Sequence, residues 1–209
     1  MGKIIALSGF KGSGKDTIAQ LISKNHNGQT YIFSFADPIR QIISTLYNID
    51  VPEYSKKEKT IFNVKGKNMT YRNLMISVGT HIRKFDNDVF TKAIEHQVNN
   101  TLQQNEDAVI VISDVRYNRE VSMLERLKAK GHTVDHWLIL RKNAIPNWVH
   151  MFGSELATNK VFQTIVKRDF KVNSSEYELL FSNCKFQRVI HNDGSINETS
   201  RVVSDLLNN

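Results

Sequence analysis

The stretch that decides the fold is Ile4-Ile5-Ala6-Leu7-Ser8-Gly9-Phe10-Lys11-Gly12-Ser13-Gly14-Lys15-Asp16-Thr17. An apolar run of strand length leads into a glycine-rich loop, and an amphipathic run of helical type follows at residues 18–22. Glycines let successive backbone N–H groups turn toward one point, where the N-terminus of a helix adds its positive end. A lysine at this spacing reaches the β and γ phosphates of ATP. The stretch therefore predicts a strand, a phosphate-binding P-loop and a helix.

One residue departs from the usual P-loop pattern. The position after Lys15 normally carries a Ser or Thr whose hydroxyl binds Mg²⁺, but here it is Asp16, followed by Thr17. An aspartate is also a hard oxygen ligand and can hold the ion directly or through water. We therefore expect Mg²⁺ at Asp16 and Thr17, and we expect ATP to be bound by Gly12, Ser13, Gly14, Lys15, Asp16 and Thr17.

Apolar runs alternate with amphipathic stretches along the chain, a pattern typical of parallel strands joined by crossover helices. We expect an α/β fold of the three-layer P-loop type, with a five-stranded parallel sheet and helices on both faces. The predicted strands are Lys3 to Ser8, Tyr31 to Phe35, Ala108 to Ser113, Thr133 to Leu140 and Gln187 to His191. The predicted helices begin near Lys15, Pro38, Thr70, Asp88, Arg119 and Ser195.

The length favours a single domain covering residues 1–209. Two stretches, Asp50 to Asn68 and Asn143 to Lys185, are more polar and less periodic, so we interpret them as insertions around a site rather than sheet elements. We expect a substrate-side insertion within about residues 36–107 and a lid-like region at about residues 142–185.

The formal net charge of +7 suits a protein whose ligands are polyanions. The cations are not interleaved with a stacking series of aromatic residues, so nucleic acid is not expected as a partner. The cluster Lys56, Lys57, Lys59, Lys65 and Lys67 is interpreted as a solvated loop. One cysteine, no secretory signal and no apolar run of membrane-spanning length favour the cytoplasm and no membrane role.

The second motif is the buried-strand run Val109 to Ile112, followed by Ser113-Asp114-Val115-Arg116. Ligands of open α/β sheets gather at the carboxyl ends of strands, so Asp114 is expected at the same edge as the P-loop. The acid can accept a hydrogen bond from a sugar hydroxyl or bind magnesium through water, and Arg116 can hold a phosphate through two hydrogen bonds. The alternative is a helix-capping Asp beside a surface Arg.

Two more arginines, Arg40 and Arg72, fall on predicted helices after the second strand and after the first insertion. Phosphoryl transfer between two polyanions needs such cations, although a surface salt bridge is the alternative for each. An acceptor phosphate is already ionised at neutral pH, so none of the seven histidines is expected to be catalytic. His132 and His136 are interpreted as structural residues.

At these residues the chain resembles the bacteriophage deoxynucleoside monophosphate (dNMP) kinases, whose P-loop also reads Ser-Gly-Lys-Asp-Thr. The resemblance covers most of the chain and includes Phe35 to Arg40, Arg72 to Met75 with Gly79-Thr80, and Asp114-Val115-Arg116 with Glu120. It implies that the monophosphate is held by Lys11, Ile39, Arg40, Arg72, Gly79, Asp114, Arg116, Tyr117 and Glu120. Phe90 falls where the family can carry a tryptophan, so its ring either stacks on the base or belongs to the core.

The resemblance implies a kinase that uses ATP and Mg²⁺ to convert a dNMP into a dNDP in the cytoplasm, which is the host cytoplasm for a phage-encoded protein. Lys15, Arg72, Asp114 and Arg116 are the expected catalytic residues. The expected partners are ATP and the dNMP, with a homodimer as one alternative for the assembly. Two other functions stay open: a kinase for another phosphorylated metabolite such as dephospho-coenzyme A, and a P-loop protein that uses ATP as a switch.

Overall fold

The computed structural model describes residues 2–50, 60–147, 149, 178–179 and 184–208. Its strands are β1 (Lys3–Ser8), β2 (Thr30–Phe33), β3 (Ile61–Val64), β4 (Lys67–Thr70), β5 (Val109–Ile112), β6 (Thr133–Leu140) and β7 (Arg188–His191). Its α-helices are α1 (Lys15–Asn25), α2 (Asp37–Tyr47), α3 (Tyr71–Phe85), α4 (Val89–Gln104), α5 (Asn118–Ala129) and α6 (Ile196–Asn208), and a short 3₁₀ helix covers Lys142–Ala144.

Five strands form a parallel sheet in the order β2-β5-β1-β6-β7. The central strand β1 is paired on both sides, with Ile4 opposite Ile110 of β5 and Val134 of β6. Strands β1 and β5 are buried along almost their whole length, as expected for a parallel sheet that helices cover on both faces. The predicted α/β P-loop fold is confirmed.

One face of this sheet forms a core with helices α1 and α6. Alternate residues of the strands point to this face, which is the two-residue periodicity of a β-strand. Helix α1 contributes Ile18 and Ile22, and α6 contributes Val203. The strand side chains in this core are Ile5, Leu7, Val109, Val111, Trp137, Ile139 and Ile190. Helix α1 is thereby packed directly behind the loop that precedes it.

The described chain divides into two compact units. The first contains Met1–Ser34 and Glu95–Asn209, and therefore holds the whole parallel sheet. The second contains Phe35–Ile94, with helices α2 and α3 and a two-stranded antiparallel sheet of β3 and β4. The single-domain organisation and the substrate-side insertion at about 36–107 stay predictions.

The hairpin of β3 and β4 corrects one expectation, because the stretch Asp50 to Asn68 was expected to hold no sheet elements. Lys65 and Gly66 both have positive φ, +53° and +76°, as a tight two-residue hairpin turn requires. The side chain of Asn63 accepts a hydrogen bond from Gly66 N at 3.0 Å. Lys65 and Lys67 are exposed on this hairpin, as expected for a solvated segment.

Residues 51–59 lie outside the described part of the chain, and so does most of the lid-like region expected at 142–185. The lid therefore stays a prediction. Among the helices of the described residues, we find none with both the length and the apolar character that a membrane span requires.

We predict that Ile110→Ala lowers the free energy of unfolding by about 2–5 kcal/mol, because it opens a cavity at a position with no solvent exposure between β1 and β2. The matched control is Ile196→Ala, at a side chain that is 61% exposed, which should change stability by less than about 0.5 kcal/mol. Urea denaturation of the three proteins measures both values. Equal losses in the two variants would contradict this description of the core.

Candidate active site

The P-loop between β1 and α1 depends on glycines at two points. Gly9 has φ +150°, and a Cβ atom there would lie 2.3 Å from the carbonyl oxygen of Ile139 on β6. Gly14 has φ +94°, and a Cβ atom there would lie 2.1 Å from the side-chain amide nitrogen of Asn192. Neither approach is compatible with a larger residue, so the loop backbone lies tightly against the end of the sheet.

Lys15 is the first residue of helix α1 and is 7% exposed. Its Nζ donates hydrogen bonds to the carbonyl oxygens of Gly9, at 2.7 Å, and Phe10, at 2.9 Å. The ammonium group is therefore held along the loop rather than extended into solvent. A cation fixed at a helix N-terminus whose loop turns backbone N–H groups inward is suited to bind polyphosphate.

Asn192, at the end of β7, supports the P-loop from behind. Its side-chain nitrogen donates to the Ser13 carbonyl at 2.9 Å, while its side-chain oxygen accepts from the Thr199 hydroxyl of α6 at 2.9 Å. Its backbone N–H donates to the Leu140 carbonyl at 2.7 Å. One side chain thus connects β7, α6 and the phosphate loop, and this arrangement gives Asn192 a structural role.

Asp114, Val115 and Arg116 follow β5 and lie against the start of the P-loop, as expected for neighbouring parallel strands. The N–H of Val115 donates to the Leu7 carbonyl at 3.0 Å, and this hydrogen bond joins the segment to the end of strand β1. The Ser34 hydroxyl donates to Asp114 Oδ2 at 2.8 Å. A carboxylate and a half-buried guanidinium are therefore placed beside the phosphate loop.

Glu120 supports the backbone that follows Asp114 through hydrogen bonds. It is 3% exposed, and its Oε2 accepts hydrogen bonds from the backbone N–H of Arg116 at 2.6 Å and of Tyr117 at 3.0 Å. Burial, and then the charge of Asp114, raise the pKa of Glu120 to about 8. Glu120 thus acts on the Arg116 backbone, and a direct role in binding the monophosphate stays a prediction.

Among the remaining predicted residues of the first unit, Gly12 is exposed, Ser13 is fully buried and Tyr117 is half-buried. Lys11 is exposed on the P-loop, and Tyr117 precedes helix α5, where the guanidinium carbon of Arg119 lies 4.7 Å from its ring centroid. Asp16 and Thr17 are exposed in the first turn of α1. No group of three or more His, Cys, Asp or Glu with metal-binding geometry occurs among the described residues. The side-chain oxygens of Asp16 and Thr17 are of the kind that Mg²⁺ prefers, and this ion takes few protein ligands and completes its shell with phosphate and water.

In the second unit, Arg40 lies on α2 and forms an ion pair with Asp37 one turn earlier. Both residues line a cavity of about 330 Å³ together with Gln41, Ser44 and Thr45. Arg72 is half-buried in the first turn of α3, which Thr70 caps by accepting from Asn73 N at 3.2 Å. These two arginines are therefore fixed at helix starts.

The predicted residues Ile39, Gly79 and Phe90 are all buried in the second unit. A Cβ atom at Gly79 would lie 2.8 Å from Ile39 Cδ1 and 3.2 Å from Arg83 Nη1, so the glycine lets α3 pack closely here. The guanidinium carbon of Arg83 lies 4.9 Å from the Phe90 ring centroid. This arrangement favours the core interpretation of Phe90, and stacking of a base on its ring stays a prediction.

In each of the two units, sequence motifs alone could not find some of the residues that support the predicted ones. Ser34 and Asn192 act through single side-chain hydrogen bonds to residues distant in sequence. Tyr71 is fully buried beside α2 with no hydrogen-bond partner for its hydroxyl among the described residues. Burial raises the pKa of Tyr71, and the nearby charge of Arg40 lowers it in part.

A protein-family profile described as phosphomevalonate kinase matches residues 7–130, which is more than half of the chain. The match runs from the last residues of β1 through α5, and it therefore includes the P-loop, Arg72 and the Asp114–Arg116 segment. No curated protein matches the chain significantly. The family match favours a kinase for another small phosphorylated metabolite over the dNMP kinase expected from sequence.

Solved structures of several kinases resemble the chain at low sequence identity. The APS kinase of Mycobacterium tuberculosis in complex with AMPPNP and APS is 15% identical, covers 100% of this chain and 98% of its own, and has a TM-score of 0.46. A gluconokinase from Sinorhizobium meliloti is 13% identical, covers 99% of this chain and 91% of its own, and has a TM-score of 0.43. Likeness at this level does not identify the acceptor.

We predict that Glu120→Gln alters how stability depends on pH. The pKa of Glu120 is raised from 4.5 to about 8 in the folded protein, so the folded state holds this proton more tightly than the unfolded chain. The contribution to the free energy of unfolding is therefore complete below about pH 4.5 and is lost as the pH rises through about 8. A glutamine keeps an acceptor oxygen for Arg116 N and Tyr117 N but cannot ionise.

Urea denaturation of the parent and Glu120→Gln at pH 5, 6.5 and 8 measures this effect. The stability of the variant relative to the parent should increase steadily with pH. The control is Glu125→Gln, at an exposed position of the same helix, whose curve should run parallel to that of the parent. Parallel curves for Glu120→Gln as well would contradict the raised pKa.

Proposed function

The chain belongs to the phosphomevalonate kinase family, and we propose that its acceptor is a small metabolite that carries a phosphate group. Within that class we propose a deoxynucleoside monophosphate, because the carboxylate of Asp114, two residues before Arg116, can accept a hydrogen bond from a sugar hydroxyl. The chain is an ATP-dependent P-loop kinase of a small phosphorylated metabolite. The observation that carries the proposal is the fixed position of Arg116 beside the P-loop. Its segment is hydrogen-bonded to β1 through Val115 and to the buried Glu120.

Two cations serve different phosphates in this arrangement. Lys15 lies along the P-loop, where it stabilises the charge that develops on the γ-phosphoryl group and its bridging oxygen. Arg116 lies after the neighbouring strand and can hold the acceptor phosphate through two parallel hydrogen bonds. An acceptor oxygen forms a bond to the γ-phosphorus while the bond to the β-phosphate oxygen breaks, and ADP leaves with that electron pair. No strong base is needed, because the acceptor phosphate is already ionised.

Asp16 and Thr17 would hold Mg²⁺ together with the phosphates of ATP. When bound, the ion neutralises phosphate charge during the transfer. Asp114, held by the Ser34 hydroxyl, offers a carboxylate oxygen to a sugar hydroxyl, which supports a nucleotide acceptor. Arg40 and Arg72 are proposed to bind the same acceptor. The cytoplasmic location and the homodimer stay predictions.

A second acceptor has a specific observation in its favour. The matching family is described as phosphomevalonate kinase, so phosphomevalonate is the candidate from the wider class of phosphorylated metabolites. Both candidates present a terminal phosphate monoester to the same cations. They differ in the remainder of the molecule, which is a base and sugar in one case and a short carboxylic acid in the other.

Release of ADP across a panel of acceptors tests the proposal. The panel contains dGMP, dTMP, dCMP, dAMP, the four ribonucleotides, phosphomevalonate and dephospho-coenzyme A, each with ATP and Mg²⁺. We expect turnover with at least one dNMP and negligible ADP without an acceptor. Turnover with phosphomevalonate alone would overturn the nucleotide proposal in favour of the second acceptor. Equal ADP release with and without any acceptor would indicate an ATP switch instead.

We predict that Arg72→Lys and Arg116→Lys weaken use of the monophosphate and hardly change the KM for ATP. Lysine keeps the charge but loses the planar fork that pairs with two phosphate oxygens. A loss of about 1.5–3 kcal/mol corresponds to about a 10- to 150-fold decrease in kcat/KM for the acceptor. Steady-state kinetics with the acceptor varied at saturating ATP measure it.

Arg126→Lys is the matched control for these variants. Arg126 forms an exposed ion pair with Glu95, with 2.7 Å between Nη2 and Oε2, and has no place in the proposed site. This substitution should leave the kinetics of the acceptor at the parent level. If Arg72→Lys and Arg116→Lys behave like Arg126→Lys, neither arginine binds the acceptor phosphate.

A further inference from the structure

His136 is a buried polar residue for which the proposed reaction has no use. It lies on β6 opposite Ala6 of β1 and is 4% exposed. One ring nitrogen, Nε2, lies 2.7 Å from the hydroxyl oxygen of Ser8, the last residue of β1 before the P-loop. Ser8 is also buried, and its hydroxyl lies 2.8 Å from the carbonyl oxygen of Val115.

The protons of this chain can be assigned from the chemistry of its three groups. A carbonyl oxygen can only accept, so the single hydroxyl proton of Ser8 is donated to Val115 O. The Ser8 oxygen must then accept from the imidazole, which fixes a proton on Nε2 of His136. The other nitrogen, Nδ1, carries a lone pair and lies 3.7 Å from Cys184 Sγ.

The imidazole of His136 and the thiol of Cys184 are both neutral at pH 7. Burial lowers the pKa of His136 to about 4 and raises the pKa of the Cys184 thiol. A neutral thiol can donate to Nδ1, which reinforces the Nε2–H tautomer. The histidine is therefore held in one tautomer and one orientation.

The chain of hydrogen bonds ends on the peptide group that joins Val115 to Arg116. Its oxygen accepts from Ser8, and its N–H, which belongs to Arg116, donates to Glu120 Oε2 at 2.6 Å. A peptide group is planar, so holding both its oxygen and its N–H fixes the orientation of the whole plane. The Cα atom of Arg116 is part of that plane. The next N–H, which belongs to Tyr117, donates to the same Glu120 oxygen at 3.0 Å. The backbone is therefore held on both sides of the Arg116 Cα, and this sets the direction in which the side chain leaves it.

We infer that His136 is a positioning residue, which acts through Ser8 to hold the Val115–Arg116 peptide plane and thereby aims Arg116 at the acceptor phosphate. This inference rests on the proposed function, because it assigns His136 to the acceptor side of the reaction. It differs from a general role in packing, since it depends on one donated proton. The acceptor should be affected and ATP should not, because the chain ends at Arg116.

Two substitutions at position 136 distinguish the hydrogen bond donated to Ser8 from the space that the side chain fills. Methionine fills the site without donating, whereas the amide nitrogen of glutamine can lie where Nε2 lies and donate to Ser8. We expect His136→Met to lower kcat/KM for the acceptor about tenfold or more, because small misplacements of a positioning group have large effects on rate. The KM for ATP should change less than about twofold, and His136→Gln should restore most of the acceptor kinetics.

Ser8→Ala breaks the same chain at its middle. Its effect should resemble that of His136→Met, and the double variant should be no worse than the more impaired single variant. Val203→Ala is the control for lost stability. Val203 is fully buried in the core but takes no part in the hydrogen bonds that join His136 to the Val115–Arg116 peptide. The Tm of every variant is measured by thermal unfolding, and the kinetics are compared between variants of equal Tm.

A readout without substrate keeps this inference separate from the proposed function. Amide hydrogen exchange at Arg116, measured by NMR, should quicken in His136→Met and return toward the parent rate in His136→Gln. The ¹⁵N resonances of the imidazole should report the Nε2–H tautomer. If no acceptor in the panel is phosphorylated, the proposed function fails, while the exchange result still decides the role of His136.

Three results would overturn the inference. The first is a His136→Gln variant no better than His136→Met in acceptor kinetics or in Arg116 exchange. The second is a Val203→Ala variant of matched stability with the same loss for the acceptor. The third is an Nδ1–H tautomer for His136, which would leave Ser8 without the donor that the geometry requires.

Discussion

The close approach of the P-loop to the end of the sheet is the constraint on which the rest of the site depends. The loop leaves β1 at Gly9, where the Ile139 carbonyl occupies the space that a side chain would need. It enters α1 at Gly14, where Asn192 does the same. Between these two points the Lys15 ammonium group donates to the Gly9 and Phe10 carbonyls, so it lies along the loop. The phosphate site is therefore a consequence of strand packing as much as of the lysine.

The same edge of the sheet assembles the segment that is proposed to bind the acceptor. Parallel pairing of β1 with β5 brings Val115, in the loop just after β5, beside Leu7 and Ser8 at the end of β1. The buried Glu120 then replaces water as the hydrogen-bond acceptor for the Arg116 and Tyr117 backbone. A protein with +7 net charge thus buries the acidic residue Glu120, and one oxygen of this residue holds the backbone of Arg116 and Tyr117.

Local signals in the sequence were sufficient for the elements of the main sheet. The bounds of Lys3–Ser8 and Thr133–Leu140 match the prediction, and all six predicted helix starts lie within one residue of the observed ones. The strand expected at Tyr31 to Phe35 ends at Phe33, because Ser34 turns away to bond Asp114. The hairpin at Ile61–Thr70 was missed because its turn uses a lysine at positive φ, which no propensity scale favours. Partners such as Asn192 and His136 depend on contacts across many residues, and no local pattern encodes those.

The support that Asn192 gives to the P-loop has a consequence for synthesis of the chain. The hydrogen bond from Asn192 to Ser13 joins residues 179 positions apart, and Thr199 on the last described helix completes it. A ribosome therefore synthesises the phosphate loop 179 residues before the side chain that braces it. Contacts of such long range form late, since a large loop must close before they contribute. A nascent chain would therefore hold the glycine-rich segment without this bracing until at least 179 further residues have been added.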